Sequence, residues 1–194
     1  VPWIHNVKNT DMVIAVDDND SMSLVRLFNE PAGQKYLKEE LGIKQEVIDK
    51  LSLMGISGVA NMISAIKFAK YYELGEDDII LTVFTDSMEL YKSRLEEMEE
   101  QFGEYDKIDA AVDYNTHLKG QTIDYLEELT YESKKRIHNL KYYTWVEQQG
   151  KDVEELNAQW YDYDNYWGSI HNMTGKIDEL IKEFNKEVGL LDQI

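Results

Sequence analysis

The feature that most constrains the fold of this chain is an unbroken apolar run, Ile79-Ile80-Leu81-Thr82-Val83-Phe84. It is rich in β-branched residues and bounded by turn-forming residues, which is typical of a strand buried on both faces. A shorter apolar run, Met12 to Val16, predicts another buried strand. Because helical periodicity lies between the two runs, we predict parallel strands joined by helical crossovers.

Apolar periodicity and capping residues predict helices around both strands. In the first half of the chain we expect helices at about 21–29, 34–41, 45–53, 59–74 and 88–101. In the second half we expect helices at about 109–118, 122–129, 132–149, from 152 onward and at 176–188, with no strand longer than three residues. The sequence therefore predicts an α/β part, residues 1–102, and an all-helical extension, residues 103–194. Two strands are too few for a self-sufficient sheet, so the α/β part is expected to be incomplete.

Charge and composition exclude several classes of protein. The chain has 38 acidic and 20 basic residues, a net charge of -18, which disfavours nucleic-acid binding and attachment to an anionic membrane. No run of about 18 uncharged apolar residues occurs, so no membrane span is predicted. The absence of cysteine removes disulfides and thiolate chemistry and fits a cytoplasmic location. The chain starts at Val1 without a signal-peptide pattern, and we expect a processed chain or a part of a longer one.

Three conspicuous patterns have simple structural explanations. The four histidines share no spacing typical of a metal site, so no metal is predicted. The acidic run Glu96-Glu97-Met98-Glu99-Glu100 is typical of a solvated helix face. The aromatic stretch Trp160 to Trp167 could be a stacking platform, but packing or a subunit interface is favoured. We expect at least two of the side chains Trp145, Trp160 and Trp167 to be mostly buried.

Two turns carry the functional prediction. Gly55-Ile56-Ser57-Gly58 precedes a predicted helix, and Thr85-Asp86-Ser87 follows the second predicted strand. Each turn alone can be explained as a helix cap, since serine and aspartate accept hydrogen bonds from free backbone N–H groups. Ligands of α/β sheets, however, bind at the carboxyl ends of strands. We therefore expect both turns to meet at a ligand site.

The residues from Gly55 through the helix containing Lys67 to the strand, Thr85-Asp86-Ser87 and Tyr91 resemble a block of the fold-type II pyridoxal-phosphate enzymes. Cysteine synthase and cystathionine β-synthase carry a similar pattern at similar spacing. The resemblance covers roughly residues 1–95. It implies a part of a three-layer parallel-sheet fold of the tryptophan synthase β type, followed here by the helical extension.

The resemblance also implies a set of cofactor-binding residues: Gly55, Ser57, Gly58, Asp86 and Ser87. The serine equivalent to Ser57 hydrogen-bonds the pyridine nitrogen of pyridoxal phosphate in that family, and the turn with Asp86 and Ser87 lies beside the ring. A hydroxyl does not stabilise a fully protonated pyridinium, which suits loss of a good β-substituent. Four positions depart from the family pattern, and these departures bear on which substrate is used. Gly58 stands in place of serine or alanine, Val59 in place of glycine, Thr85 in place of proline, and Met88 in place of glycine.

The family's cofactor lysine and glycine-rich phosphate loop have no counterpart in this sequence, and Lys8, Lys35 and Lys67 lack the family context. The resemblance therefore implies the C-terminal part of a longer enzyme that performs β-elimination or β-replacement on a small amino acid. Its expected partners are the missing N-terminal part and a second copy in a homodimer. By itself this chain is expected to be inactive.

Two other classes of function are compatible with parts of the sequence. The chain could be a stand-alone acidic interaction module whose turns are only caps. A flavodoxin-like binding domain is less favoured, because no phosphate-binding loop follows Val16.

Overall fold

The computed structural model describes residues 5–189, and helices make up 68% of the structure. Within the described range there is a single sheet of two short antiparallel strands, β1 (Met12–Ile14) and β2 (Leu126–Glu128). The chain divides into two compact units. We call residues 13–127 the central unit and residues 1–12 with 128–194 the terminal unit. The boundary predicted at 102/103 falls inside the central unit.

The predicted three-layer parallel sheet is wrong. Residues 79–84 have no regular secondary structure, because the described part of the chain offers no neighbouring strand to complete their hydrogen bonds. The strand predicted at Met12 exists, but it pairs with β2, and next to this pair the N–H of Ala15 donates to the Tyr125 carbonyl at 2.9 Å. The helix predicted at 122–129 is also wrong, since β2 occupies part of that range.

The central unit contains six α-helices in its described sequence: α1 (Asp18–Asn29), α2 (Pro31–Glu39), α3 (Gln45–Leu51), α4 (Ile56–Tyr71), α5 (Lys92–Phe102) and α6 (Lys107–Asp113). A 3₁₀ turn, Met88–Tyr91, precedes α5, and a π-helical turn, Tyr114–Lys119, follows α6. Local chemistry sets several of these ends. The Asp17 carboxylate accepts a hydrogen bond from the N–H of Asn19 at the start of α1. Pro31 begins α2, where its missing N–H costs nothing.

The core of the central unit forms around α1. Leu24, Leu27 and Phe28 are buried, and they belong to one apolar cluster with Ile48 of α3 and Ile63 of α4. This cluster explains the apolar periodicity of the three helices, since each presents one face to a shared interior. The predicted α/β core is therefore replaced by a helical one.

The terminal unit begins with a 3₁₀ turn, Val7–Asn9, and continues after β2. Its helices are α7 (Tyr131–Lys141), α8 (Val153–Tyr161), α9 (Tyr163–Asn172) and α10 (Thr174–Val188), with a π-helical turn at Tyr142–Glu147. The expectation of no strand longer than three residues after 103 holds for residues 103–189, where β2 has three. Helix α9 was not predicted, although Tyr163, Tyr166, Trp167 and Ile170 recur at helical spacing.

All three tryptophans predicted to be buried are buried within the terminal unit, each less than 10% exposed: Trp145, Trp160 and Trp167. The Trp160 ring lies 5.7 Å from Tyr131 and 5.2 Å from His138, between ring centroids. The Trp167 indole N–H donates to the Gln159 carbonyl at 3.1 Å. The aromatic stretch therefore fills the interior of its own unit.

The buried imidazole of His138 predicts a pH dependence of the terminal unit. Burial, together with the charges of Lys141 and Lys135, lowers the pKa of His138 to about 4, from an ordinary value of 6.5. Between these pH values the unfolded chain binds the proton and the folded chain does not, so stability should fall as pH drops below about 6.5. Urea unfolding at pH 7.5 and pH 5 measures this loss of unfolding free energy. His138→Gln should make the loss smaller, whereas His171→Gln, at an exposed position, should not. An equal loss in both variants would contradict the role given to His138.

Candidate functional site

The two turns that carry the functional prediction meet in the central unit. The backbone N–H of Gly55 donates to the carbonyl of Asp86 at 2.9 Å. A Cβ atom on Gly55 would lie 2.5 Å from Asp86 Oδ1, so the contact requires glycine at this position. Two segments separated by most of α4 and by residues 72–84 thus form one structure. We call it the turn pair and define it as residues 55–58 and 85–87.

The Asp86 carboxylate is held inside the turn pair by two hydroxyls. The Tyr91 hydroxyl donates a short hydrogen bond to Oδ2, and Thr85 Oγ1 donates to Oδ1 at 3.2 Å. The bond to Asp86 raises the pKa of Tyr91. Ser87 has a different task, because its Oγ accepts the N–H of Glu89 at 3.3 Å and caps the following 3₁₀ turn.

Ser57 is the second residue of α4, and its side chain is exposed. The residue at the N-cap position is Gly55, so Ser57 does not cap the helix. Ser57 also does not point into the apolar core. Ser57 lies in the first turn of α4, where backbone N–H groups have no partner within the helix and favour an electronegative atom. The neighbouring Gly58 is buried, and a Cβ there would make only ordinary contact, 3.4 Å from Phe84 Cδ1.

Residues 79–84 lie beside α4 without forming the predicted strand, so the expected position of Ser57 at a strand end is wrong. The Asn61 side-chain amide donates to the Val83 carbonyl at 2.8 Å. The apolar side chains nevertheless face solvent, with Ile79 92% and Leu81 94% exposed. A contiguous exposed apolar segment of this kind marks an interaction surface.

The turn pair suits one part of pyridoxal phosphate. The Ser57 hydroxyl is available to donate to the pyridine nitrogen, which is the role implied by the resemblance. The three lysines considered from the sequence are engaged elsewhere. Lys67 donates to the carbonyls of Ala15 and Asp124 at 3.3 and 3.1 Å, Lys8 donates to the Trp160 carbonyl at 2.7 Å, and Lys35 pairs with Glu39 at 4.0 Å. The turn pair therefore offers one exposed hydroxyl to the ring side of the cofactor and no lysine for its aldehyde.

A separate cleft of about 620 Å³ lies in the central unit and is lined by α1, α5 and α6. Arg26 is 6% exposed there, donates to the Gly103 carbonyl at 2.9 Å and lies 4.7 Å from the centroid of the Tyr105 ring. Its Nε lies 3.8 Å from Glu30 Oε1 without a hydrogen bond. The Tyr105 hydroxyl donates to Asp113 at 2.8 Å. This cluster was not predicted from the sequence, although an arginine within the apolar run Leu24 to Phe28 was a usable signal.

The charges of this cleft favour a structural role. Arg26 connects α1 to the end of α5 through its hydrogen bond to the Gly103 carbonyl, and its ion pair with Glu30 lies at the end of α1 itself. Burial raises the pKa of Asp113, with the Tyr105 bond acting in the opposite direction, and burial also raises the pKa of Tyr105. Three acidic and two basic side chains line the cleft, so it carries only a small excess of negative charge to select a ligand.

In the part of the chain that the structure describes, no group of three or more histidine, aspartate or glutamate side chains is placed to hold a metal ion. Over the same range no single helix is long and apolar enough to cross a membrane. Only α3 and α4 taken together, as a pair bent by 116°, reach that length and hydropathy.

Comparison of the chain with protein-family models, with curated proteins and with solved structures gives no match. These comparisons therefore lend no support to the resemblance to pyridoxal-phosphate enzymes.

Proposed function

We propose that this chain supplies the ring-nitrogen side of a pyridoxal-phosphate site in an enzyme that performs β-elimination or β-replacement on a small amino acid. A further polypeptide segment would supply the cofactor lysine and the phosphate loop. The observation that supports this proposal is the hydrogen bond of 2.9 Å between Gly55 and Asp86. It joins the same two turns that carry the family resemblance, and these turns are far apart in the sequence.

The exposed apolar side chains of residues 79–84 also support the proposal. Its side chains include Leu81 at 94% and Val83 at 65% exposure, directly beside the helix that carries Ser57. Apolar surface of this extent is unfavourable in water, by about 25 cal/mol for each Å². A polypeptide segment that covers residues 79–84 would remove this apolar surface from water and would lie next to the turn pair.

The residues of the chain have distinct tasks in this proposal. Ser57 donates its hydroxyl proton to the ring nitrogen without placing a negative charge there. Asp86, fixed by Tyr91 and Thr85, holds the second turn against Gly55. When bound, the cofactor supplies the electron sink that stabilises negative charge at the substrate Cα. A cytoplasmic location and a homodimeric enzyme belong to the same proposal.

The role of Ser57 can be tested in the protein expressed from the complete reading frame. Ser57→Ala should retain the cofactor but lower kcat for pyruvate or ammonia release from serine, cysteine or O-acetylserine. Removing one hydrogen bond to the cofactor costs roughly 1–3 kcal/mol, which corresponds to a decrease in kcat of about fivefold to 150-fold.

The matched control is Ser64→Ala on the same helix, because Ser64 bonds only to the Ala60 carbonyl of its own helix at 3.0 Å. It should leave kcat unchanged. Equal kcat values for Ser57→Ala and the unmodified enzyme would contradict the assigned role.

A further inference from the structure

The last helix of the terminal unit, α10, buries none of its side chains. Five apolar residues on one face of α10 are 43% to 62% exposed: Ile177, Leu180, Ile181, Phe184 and Val188. Met173, directly before the helix, is 49% exposed and continues this face by one turn. We call these six residues the α10 stripe. An exposed apolar stripe at helical spacing is typical of a helix that packs against another helix.

The polar residues of α10 include both signs of charge. The helix carries three lysines against four acidic residues. Lys176 and Glu183 lie seven residues apart, beside the same side of the stripe, so a copy of α10 that runs in the opposite direction presents Glu183 to Lys176. This complementarity of charge favours a second copy of this chain as the occupant of the stripe.

The spacing of the stripe defines how two copies fit. Met173, Ile177, Leu180 and Phe184 follow one another at steps of four, three and four residues, which is the seam of a two-helix coiled coil. In a parallel pair Glu187 would extend the seam and face Glu187 of the second copy. Like charges at such a position are destabilising, so the parallel arrangement is disfavoured.

An antiparallel pair centred between Asp178 and Glu179 avoids this conflict. Met173 then packs on Phe184 of the second copy, and Ile177 packs on Leu180. Lys176 flanks the seam opposite Glu183 of the second copy, and the twofold symmetry repeats this opposite-charge pair. A register shifted by one heptad places Glu183 opposite itself, so the charges select the first register.

We infer that α10 is a self-association surface that pairs antiparallel with α10 of a second copy, with Lys176 and Glu183 fixing the register. The inference deepens the proposed function, because it rests on the homodimer of that proposal and names its contact surface. Self-association through α10 does not require the cofactor, so it can fail or succeed independently of cofactor binding. A single short helix pair buries less than the roughly 800 Å² per partner of a stable interface. We therefore expect a dimer whose population depends on concentration.

Sedimentation velocity of the 194-residue chain tests whether α10 is a self-association surface. The mass should rise from 22.7 kDa toward twice that value as concentration increases, and Leu180→Asp should keep the chain monomeric. Lys176→Glu or Glu183→Lys alone should each weaken association about threefold to tenfold, because each places like charges together twice. Their mixture should associate again as a heterodimer, and the double variant Lys176→Glu/Glu183→Lys should recover self-association.

Lys182→Glu is the matched control for the first charge change, because Lys182 lies on the polar face of α10. It should weaken association less than Lys176→Glu. The inference is overturned by a chain that stays monomeric at all concentrations, by association that survives Leu180→Asp, or by a mixture that associates no better than the single variants.

Discussion

Gly33→Ala is expected to destabilise the central unit by about 3 kcal/mol or more. Gly33 lies near the start of α2, and a Cβ atom there would stand 2.2 Å from the Leu27 carbonyl oxygen and 2.8 Å from the Leu27 carbonyl carbon. Both atoms belong to the backbone of α1, whose Leu27 side chain is buried in the core. The clash cannot be relieved by a side-chain rotation, so α1 and α2 have to separate.

Urea unfolding followed by far-ultraviolet circular dichroism measures this loss. The control is Gly168→Ala in the interior of α9, where an added Cβ meets no atom within 4 Å. That change should be neutral or stabilising by up to about 1 kcal/mol. A Gly33→Ala chain as stable as the unmodified one would show that α1 and α2 do not approach as closely as described.

Most helices were predictable because their signals are local. Asp17 caps the start of α1, and Gly42, just beyond α2, has a φ of 68°, which favours glycine. The helix predicted from 34 begins three residues earlier, at Pro31. The helix predicted at 132–149 was correct in position, although its α-helical part ends at Lys141 and continues as a π-helical turn. These features depend on neighbours within a few residues.

The sheet could not be predicted because strand pairing is a long-range property. Residues 79–84 have high strand propensity, but propensity becomes a strand only when another strand accepts the hydrogen bonds. At residues 122–125 the error concerns a helix, which was predicted there and does not form. The ammonium groups of Lys67 and Lys70 bind the carbonyls of Asp124 and Gln121, at 3.1 and 2.6 Å, and these contacts draw the segment out of the predicted helix.

The candidate site was predictable only in part. The two turns were expected to meet because the second one follows a predicted strand, and Gly55 does contact Asp86 although that strand does not form. The capping role of Ser87 and the carboxylate bond of Tyr91 depend on side-chain geometry. The Arg26 cluster went unnoticed because its partners, Glu30, Gly103 and Tyr105, are assembled by the packing of the helices.

The second large effect is expected in cofactor binding. The 194-residue chain should hold no pyridoxal phosphate, because its turn pair offers a donor for the ring nitrogen and no lysine for the aldehyde. A single neutral hydrogen bond contributes about 0.5–1.5 kcal/mol, which is too little to retain a small anionic ligand on a chain of net charge -18. The protein expressed from the complete reading frame should bind the cofactor firmly, because the remaining contacts and a covered segment 79–84 complete the site.

Native mass spectrometry of the two proteins, each incubated with pyridoxal phosphate and then desalted, tests the central claim most directly. We predict one cofactor per chain in the protein from the complete reading frame and none on the 194-residue chain. A complete protein that carries no pyridoxal phosphate would contradict the proposed function, and so would a 194-residue chain that retains the cofactor by itself.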